Sequence, residues 1–178
     1  MMPLGTKAPD FLLKDTVSGA SLSLADLRSD RATVIMFVCN HCPYVIHLND
    51  CLVALAKKYQ SKGVAFIGIS SNDVNFVPED GPELMKIHAE KTGYPFPYLY
   101  DETQEVAKAY DAACTPEFYI FDSELRLAYR GRLDNSRPGN AFPPSGKDLA
   151  DALDALLSGK QVSAAQYPSM GCNIKWKE

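Results

Sequence analysis

No apolar run in the 178 residues approaches the roughly 18 needed to cross a bilayer, so a membrane-spanning role is not expected. The opening Met-Met-Pro-Leu-Gly-Thr-Lys-Ala-Pro-Asp lacks the apolar core of a secretory signal peptide, and the expected compartment is the cytoplasm. Basic residues are in the minority, with 18 Lys+Arg against 22 Asp+Glu and a formal net charge of −4. That balance offers no positive field to a phosphate backbone, which argues against nucleic acid as a partner. Neither an internal repeat nor a low-complexity tract is present, and there is a single Trp. Cysteines are five, at positions 39, 42, 51, 114 and 172. An odd, scattered set does not make a secreted disulfide framework, and in a reducing compartment such residues are thiols first.

Hydrophobic residues make up 46% and charged residues 22%, the composition of one soluble globular domain spanning 1–178. Ala8-Pro9-Asp10-Phe11 opens a short strand, and Ser18-Gly19-Ala20 turns toward a second. Ser23 suits the N-cap of a helical turn reaching Arg28. Ala32 to Val38 is an unbroken apolar, β-rich run, the pattern of a strand buried on both faces. Cys42 to Gln60 then carries apolar residues at 45, 46, 52, 53, 56 and 59, one face of a helix that Gly63 ends. Val64 to Ile69 is a second buried strand, so strand, helix and strand form a right-handed βαβ unit with parallel strands.

Beyond it, Ser70 to Asp80 reads as a polar loop, Pro82 to Thr92 as a helix, Tyr98 to Tyr100 as a strand and Glu102 to Ala112 as a helix. Phe118 to Phe121 and Leu125 to Arg130 flank Asp122-Ser123-Glu124 as a β-hairpin. A loop from Leu133 to Ser145 leads to an amphipathic helix, Lys147 to Leu157, with Leu149, Leu153, Leu156 and Leu157 inward. The tail from 159 has no period, but leaving Ile174 and Trp176 in water would forfeit a few kcal/mol, so residues 170 to 177 are expected to pack on the body. The fold class is α/β with a mixed central sheet.

Cys39-Asn40-His41-Cys42 carries the chemistry. The pair falls where a buried strand gives way to a helix, close enough in the first turn to make and release a disulfide. The helix start offers unpaired N–H groups and partial positive charge, which favour a thiolate, and the thiolate is the nucleophile of disulfide exchange. Pro43 fits the first helical turn at no hydrogen-bond cost. His41 is expected to lower a neighbouring thiol's pKa and make the couple more oxidising. Inert packing remains an alternative, and a zinc site would want two further ligands that no second Cys-x-x-Cys supplies.

With these motifs the chain resembles thioredoxin-fold proteins of the AhpC/TSA, peroxiredoxin-like branch over nearly its whole length. The likeness lies in Ala8-Pro9-Asp10-Phe11, in Cys39 to Cys42, in Cys114-Thr115-Pro116 before Glu117-Phe118-Tyr119-Ile120-Phe121-Asp122, in Tyr129 to Asp134, and in Gly171-Cys172-Asn173-Ile174-Lys175-Trp176-Lys177. The resemblance implies a thioredoxin-like sheet flanked by helices with an N-terminal hairpin extension. It implies a cis Thr115–Pro116 bond whose threonine backbone pairs with an extended substrate. Cys39, Cys42, His41, Thr115 and Pro116 would be the site residues, with no cofactor and no metal. A protein or small-molecule disulfide, or a peroxide, would be the substrate, a thiol such as thioredoxin the reductant, with a homodimer left open.

The implied activity is thiol–disulfide oxidoreduction, with the more exposed Cys39 attacking, its pKa below roughly 8.5, and Cys42 resolving. The alternative is a thiol peroxidase with Cys42 as peroxidatic cysteine. Against it, the branch's hydroxyl and proline positions hold Cys39 and Ile35, and an arginine would have to come from Arg130 or Arg132. A third alternative is a non-enzymatic binding module. Cys51 and Cys114 are expected to pack, His47 and His88 to lie at the surface or partly satisfied, and Glu117 is one candidate proton acceptor for Cys42. Cys172 is expected as a half-buried anchor cysteine, the alternative being a third redox thiol.

Overall fold

The structure is a computed structural model that describes residues 1–178. Its main sheet contains β1 (Leu12–Asp15), β2 (Ser21–Ser23), β3 (Ala32–Phe37), β4 (Val64–Ser70), β5 (Tyr98–Tyr100), β7 (Glu117–Phe121) and β8 (Leu127–Gly131), in the order β2-β1-β5-β4-β3-β7-β8. A two-stranded ladder of β6 (Cys114–Thr115) and β9 (Cys172–Asn173) stands apart from it. The helices are α1 (Leu24–Leu27), α2 (Pro43–Gln60), α3 (Pro82–Thr92), α4 (Glu105–Ala109) and α5 (Lys147–Leu157), with a 3₁₀ turn at Pro78–Asp80. No helix is long and apolar enough to cross a membrane.

β3 lies inside the sheet, parallel to β4 and antiparallel to β7. Its alternation divides the core in two. Val34 and Met36 face a cluster built by α2, α3 and α5, while Ile35 and Phe37 face one built by α1, α4 and the N-terminal segment. Both faces are covered, which is why the strand reads as continuously apolar. Ser23 caps α1 in a reciprocal box with Asp26.

Two boundaries and one buried face differ from the sequence reading. Residues 8 to 11 form no strand: Pro9 has no N–H to give a ladder, and β1 begins at Leu12. The helix expected from Glu102 to Ala112 shrinks to α4, because the Asp101 carboxylate takes the Val106 and Ala107 N–H groups and Gln104 turns to positive φ just before it. The buried face of α2 is Val45, Leu48, Leu52, Leu55, Ala56 and Tyr59, with Ile46 exposed. At about 100° per residue, Leu48 and Leu55 belong to that stripe and Ile46 does not.

Candidate active site

Cys39 follows the end of β3, and Cys42 is the N-cap residue of α2 with Pro43 at the first helical position. The strand delivers one sulfur and the helix start the other, and both cysteines are fully buried. Thr115, preceding the cis bond to Pro116, closes the site from β6. Its Oγ1 lies 3.4 Å from the Cys39 Sγ and its carbonyl oxygen 3.5 Å from the Cys42 Sγ. Cys39, Cys42, Thr115 and Pro116 therefore converge on one point.

His41 is turned away from the sulfurs. Its Nδ1 lies 2.7 Å from the Asp80 Oδ2, out of line for a hydrogen bond, and its ring is partly exposed. Asp80 is completely buried at the end of the 3₁₀ turn. Its carboxylate accepts the Asn40 N–H at 2.8 Å and the Asn72 amide at 2.8 Å, and the Tyr98 hydroxyl donates to the Asn40 side chain at 2.8 Å. The loop between the two cysteines is thus pinned from below by an acid that sequence reading placed only in a polar loop.

The thiols do not divide their roles as the sequence suggests. Cys39 is neither exposed nor acidified: its pKa is raised, because it donates to Cys42, because it is buried, and because Asp80 opposes a second negative charge. Cys42 is lowered to about 4, first by the hydrogen bond from Cys39, then by the Cys172 thiol and by the backbone N–H groups of Val45 and Cys172, against the opposing effect of burial. The exposed, acidified Cys39 expected from the sequence is not what the fold holds: Cys39 is buried with its pKa raised, and the lowered pKa is that of Cys42. The helix start favours the sulfur that sits on it, while His41 answers Asp80 instead.

Cys172 joins the pair. Its sulfur is 2.7 Å from that of Cys42, and burial with the neighbouring Cys42 pushes its pKa up to about 11. Cys114 is nearby, its pKa pushed up to about 12 chiefly by burial. Cys51 packs with Leu55 against Gly146. His47 meets the Ser136 hydroxyl at 2.7 Å, and His88 meets the Tyr94 hydroxyl at 3.1 Å, so both are satisfied. Glu117 accepts the Ala113 N–H at 2.9 Å, and burial raises its pKa. For a metal, Cys39, His41 and Asp80 offer three ligand atoms within 4.8 Å of one another. That is one short of a structural zinc site, and Asp80 is already committed to Asn40 and Asn72.

Residues 4–130 match the AhpC/TSA family. The chain belongs to the AhpC/TSA family. No curated protein matches it. Among solved structures, an uncharacterized conserved protein from Geobacillus kaustophilus shares 60% identity with a TM-score of 0.98, covering 99% of this chain and 94% of that one. The hypothetical protein SMc02350 from Sinorhizobium meliloti 1021 shares 44% identity with a TM-score of 0.96, covering 99% and 96%. A thiol:disulfide interchange protein of the thioredoxin family from Chlorobium tepidum TLS shares the fold at 20% identity and a TM-score of 0.66, covering 88% and 99%.

Within the AhpC/TSA family this site has the layout of a thiol redox enzyme, with an acidic sulfur on a helix start and a second thiol donating to it. The polar groups acting on the Cys42 sulfur are Cys39, Cys172, Thr115 and Val45, with no arginine among them. Arg132 is paired with Asp148 at 2.6 Å and stacks over Tyr167, and Arg130 acts on Glu117.

Proposed function

We propose that the protein is a thiol–disulfide oxidoreductase in which Cys39 and Cys42 cycle between dithiol and disulfide. The observation that carries this reading is the convergence of the Cys39 and Cys42 sulfurs on Thr115 at the N-terminus of α2, where the Cys42 pKa is lowered by the hydrogen bond from Cys39. Cys42 attacks one sulfur of a substrate disulfide, forming a mixed disulfide and releasing a thiolate. Cys39 then attacks the Cys42 sulfur, its proton passing to the departing thiolate, and the Cys39–Cys42 disulfide closes. Two electrons have moved to the substrate, and a thiol reductant such as thioredoxin returns them.

The low pKa sets the direction of drive. A sulfur stable as thiolate is a good leaving group and favours the reduced pair, so the couple is oxidising, and the exchange runs toward substrate reduction only while an external dithiol such as dithiothreitol keeps the pair reduced. Thr115 lies against both sulfurs, and its β6 strand is paired with the tail strand β9, so an extended segment already runs beside the pair. Pro116 and the Asn40–Asp80 contacts fix the turn. The odd, scattered set of five cysteines in the sequence fits an activity in the cytoplasm. Turbidity from insulin reduction by dithiothreitol tests the reading: catalysis above the uncatalysed rate is expected, and no acceleration would sink it. Stopped-flow mixing with hydrogen peroxide is expected to show Cys42 oxidised no faster than a free thiolate.

A further inference from the structure

The ladder that presents the β6 edge is not empty. Cys172 stands opposite Thr115 and Asn173 opposite Cys114 in antiparallel register. The chain's own tail therefore lies where an extended substrate would pair, with a cysteine at the position of the sulfur to be attacked. The approach is close: a Cβ on Gly171 would fall 2.0 Å from the Thr115 carbonyl oxygen, so only glycine lets the backbone pass there.

Distant segments hold the tail on both sides of Cys172. Ser169 donates to the Gly131 carbonyl at 2.6 Å, and the Ile174 N–H to that of Ala113 at 3.0 Å. The Lys175 N–H reaches Asn72 at 2.8 Å, and the Lys175 carbonyl accepts from Asp73 and Gln104, each at 2.8 Å. Asn72 also holds Asp80, so the tail and the active-site turn share a fixture.

We propose that the tail is a built-in substrate strand, and that Cys172 is a third redox thiol exchanging with Cys39 for a disulfide to Cys42. The proposal rests on the thiol–disulfide reading above. Once the Cys39–Cys42 bond has formed, the Cys172 sulfur attacks that of Cys42. The Cys39–Cys42 bond breaks, the Cys42–Cys172 bond forms, and the proton of Cys172 passes to Cys39. No electrons are gained or lost in the exchange. The proton ends on the sulfur whose thiolate is disfavoured by burial and Asp80. Cys172 is only partly buried, whereas Cys39 and Cys42 are sealed. An external dithiol then attacks Cys172, expels the Cys42 thiolate, and resolves the mixed disulfide with its second thiol. Electrons enter through the tail.

Disulfide mapping by mass spectrometry after oxidation with diamide tests this. Wild-type protein is expected to yield both Cys39–Cys42 and Cys42–Cys172 peptides, and the folded Cys39→Ser variant to lose two titratable thiols as Cys42–Cys172 alone. Adding Gly171→Ala to Cys39→Ser is expected to abolish that bond. If wild-type protein closes only Cys39–Cys42 and Cys39→Ser keeps every thiol, the tail proposal is overturned and the oxidoreductase reading stands. If wild-type protein closes neither bond while remaining folded, both fail.

Discussion

The active-site turn, residues 39 to 43, and the tail, residues 169 to 177, meet at one pair of sulfurs and reach it by opposite means. The turn is local. A buried strand, two intervening residues and a proline-started helix place Cys39 and Cys42 side by side, and Asp80, Tyr98 and Thr115 then hold the turn from outside. The tail has almost no structure of its own. Ala113, Asn72, Asp73 and Gln104 hold its backbone, and Gly131 accepts from the Ser169 hydroxyl; all are distant in sequence. Chemistry encoded at fixed spacing survives as a motif, whereas chemistry encoded in register depends on the rest of the fold.

The largest effect expected is on the turn. Cys42→Ser removes the anionic sulfur, and insulin reduction is expected to vanish. Cys172→Ser is expected to leave Cys39–Cys42 closure intact and to slow re-reduction by a dithiol. Equal loss of insulin turnover in both variants would erase the division between turn and tail.

That division also decides what the sequence shows. The βαβ unit and the Ser23 cap are legible because hydrophobic period and capping act within a few residues. So is the position of Cys39 and Cys42 at a strand–helix junction. Asp80 is not, since an acid in a polar stretch looks like a solvated one until the fold buries it under Asn40. Nor is the order of the thiols. Read from sequence, His41 is aimed at the cysteines; in three dimensions it lies against Asp80, and the hydrogen bond to Cys42 together with burial raises the Cys39 pKa. The pairing of Cys172 with Thr115 spans the fold and leaves no periodic trace.

A second prediction uses pH. Cys42 is lowered from an ordinary 9.0 to about 4 in the reduced fold. Such a group adds stability that is full above the unfolded value and is lost as pH falls through the folded one. The gap in urea midpoint between reduced wild-type protein and Cys42→Ser is therefore expected to shrink from pH 9 toward pH 4 and to level off below it. A gap that does not change with pH would place the anion elsewhere.

The tail predicts a smaller, local effect. Ile174 is 1% exposed and joins the core cluster of Ile35 and Phe37. Ile174→Ala is expected to cost about 2–5 kcal/mol of docking. The readout is faster hydrogen exchange at residues 172 to 175 and faster alkylation of Cys42, with the exchange of β3 unchanged. Unchanged alkylation would mean that the tail does not seal the site.

The smallest effect is expected at Trp176, the residue that composition alone would choose as the anchor. It is 41% exposed, and its marked partner is the Lys108 ammonium, 5.8 Å from the ring centroid. An exposed cation–π pair contributes about 0.5–1 kcal/mol. The tail is held by Ile174 and by backbone hydrogen bonds that Trp176 does not make, so Trp176→Ala should leave Cys42 alkylation within about twofold of wild type. The pair of variants sets side-chain size against register. If the larger, half-exposed ring proves to matter more than the smaller, sealed one, the tail docks by hydrophobic contact alone, and the pairing of Cys172 with Thr115 is incidental.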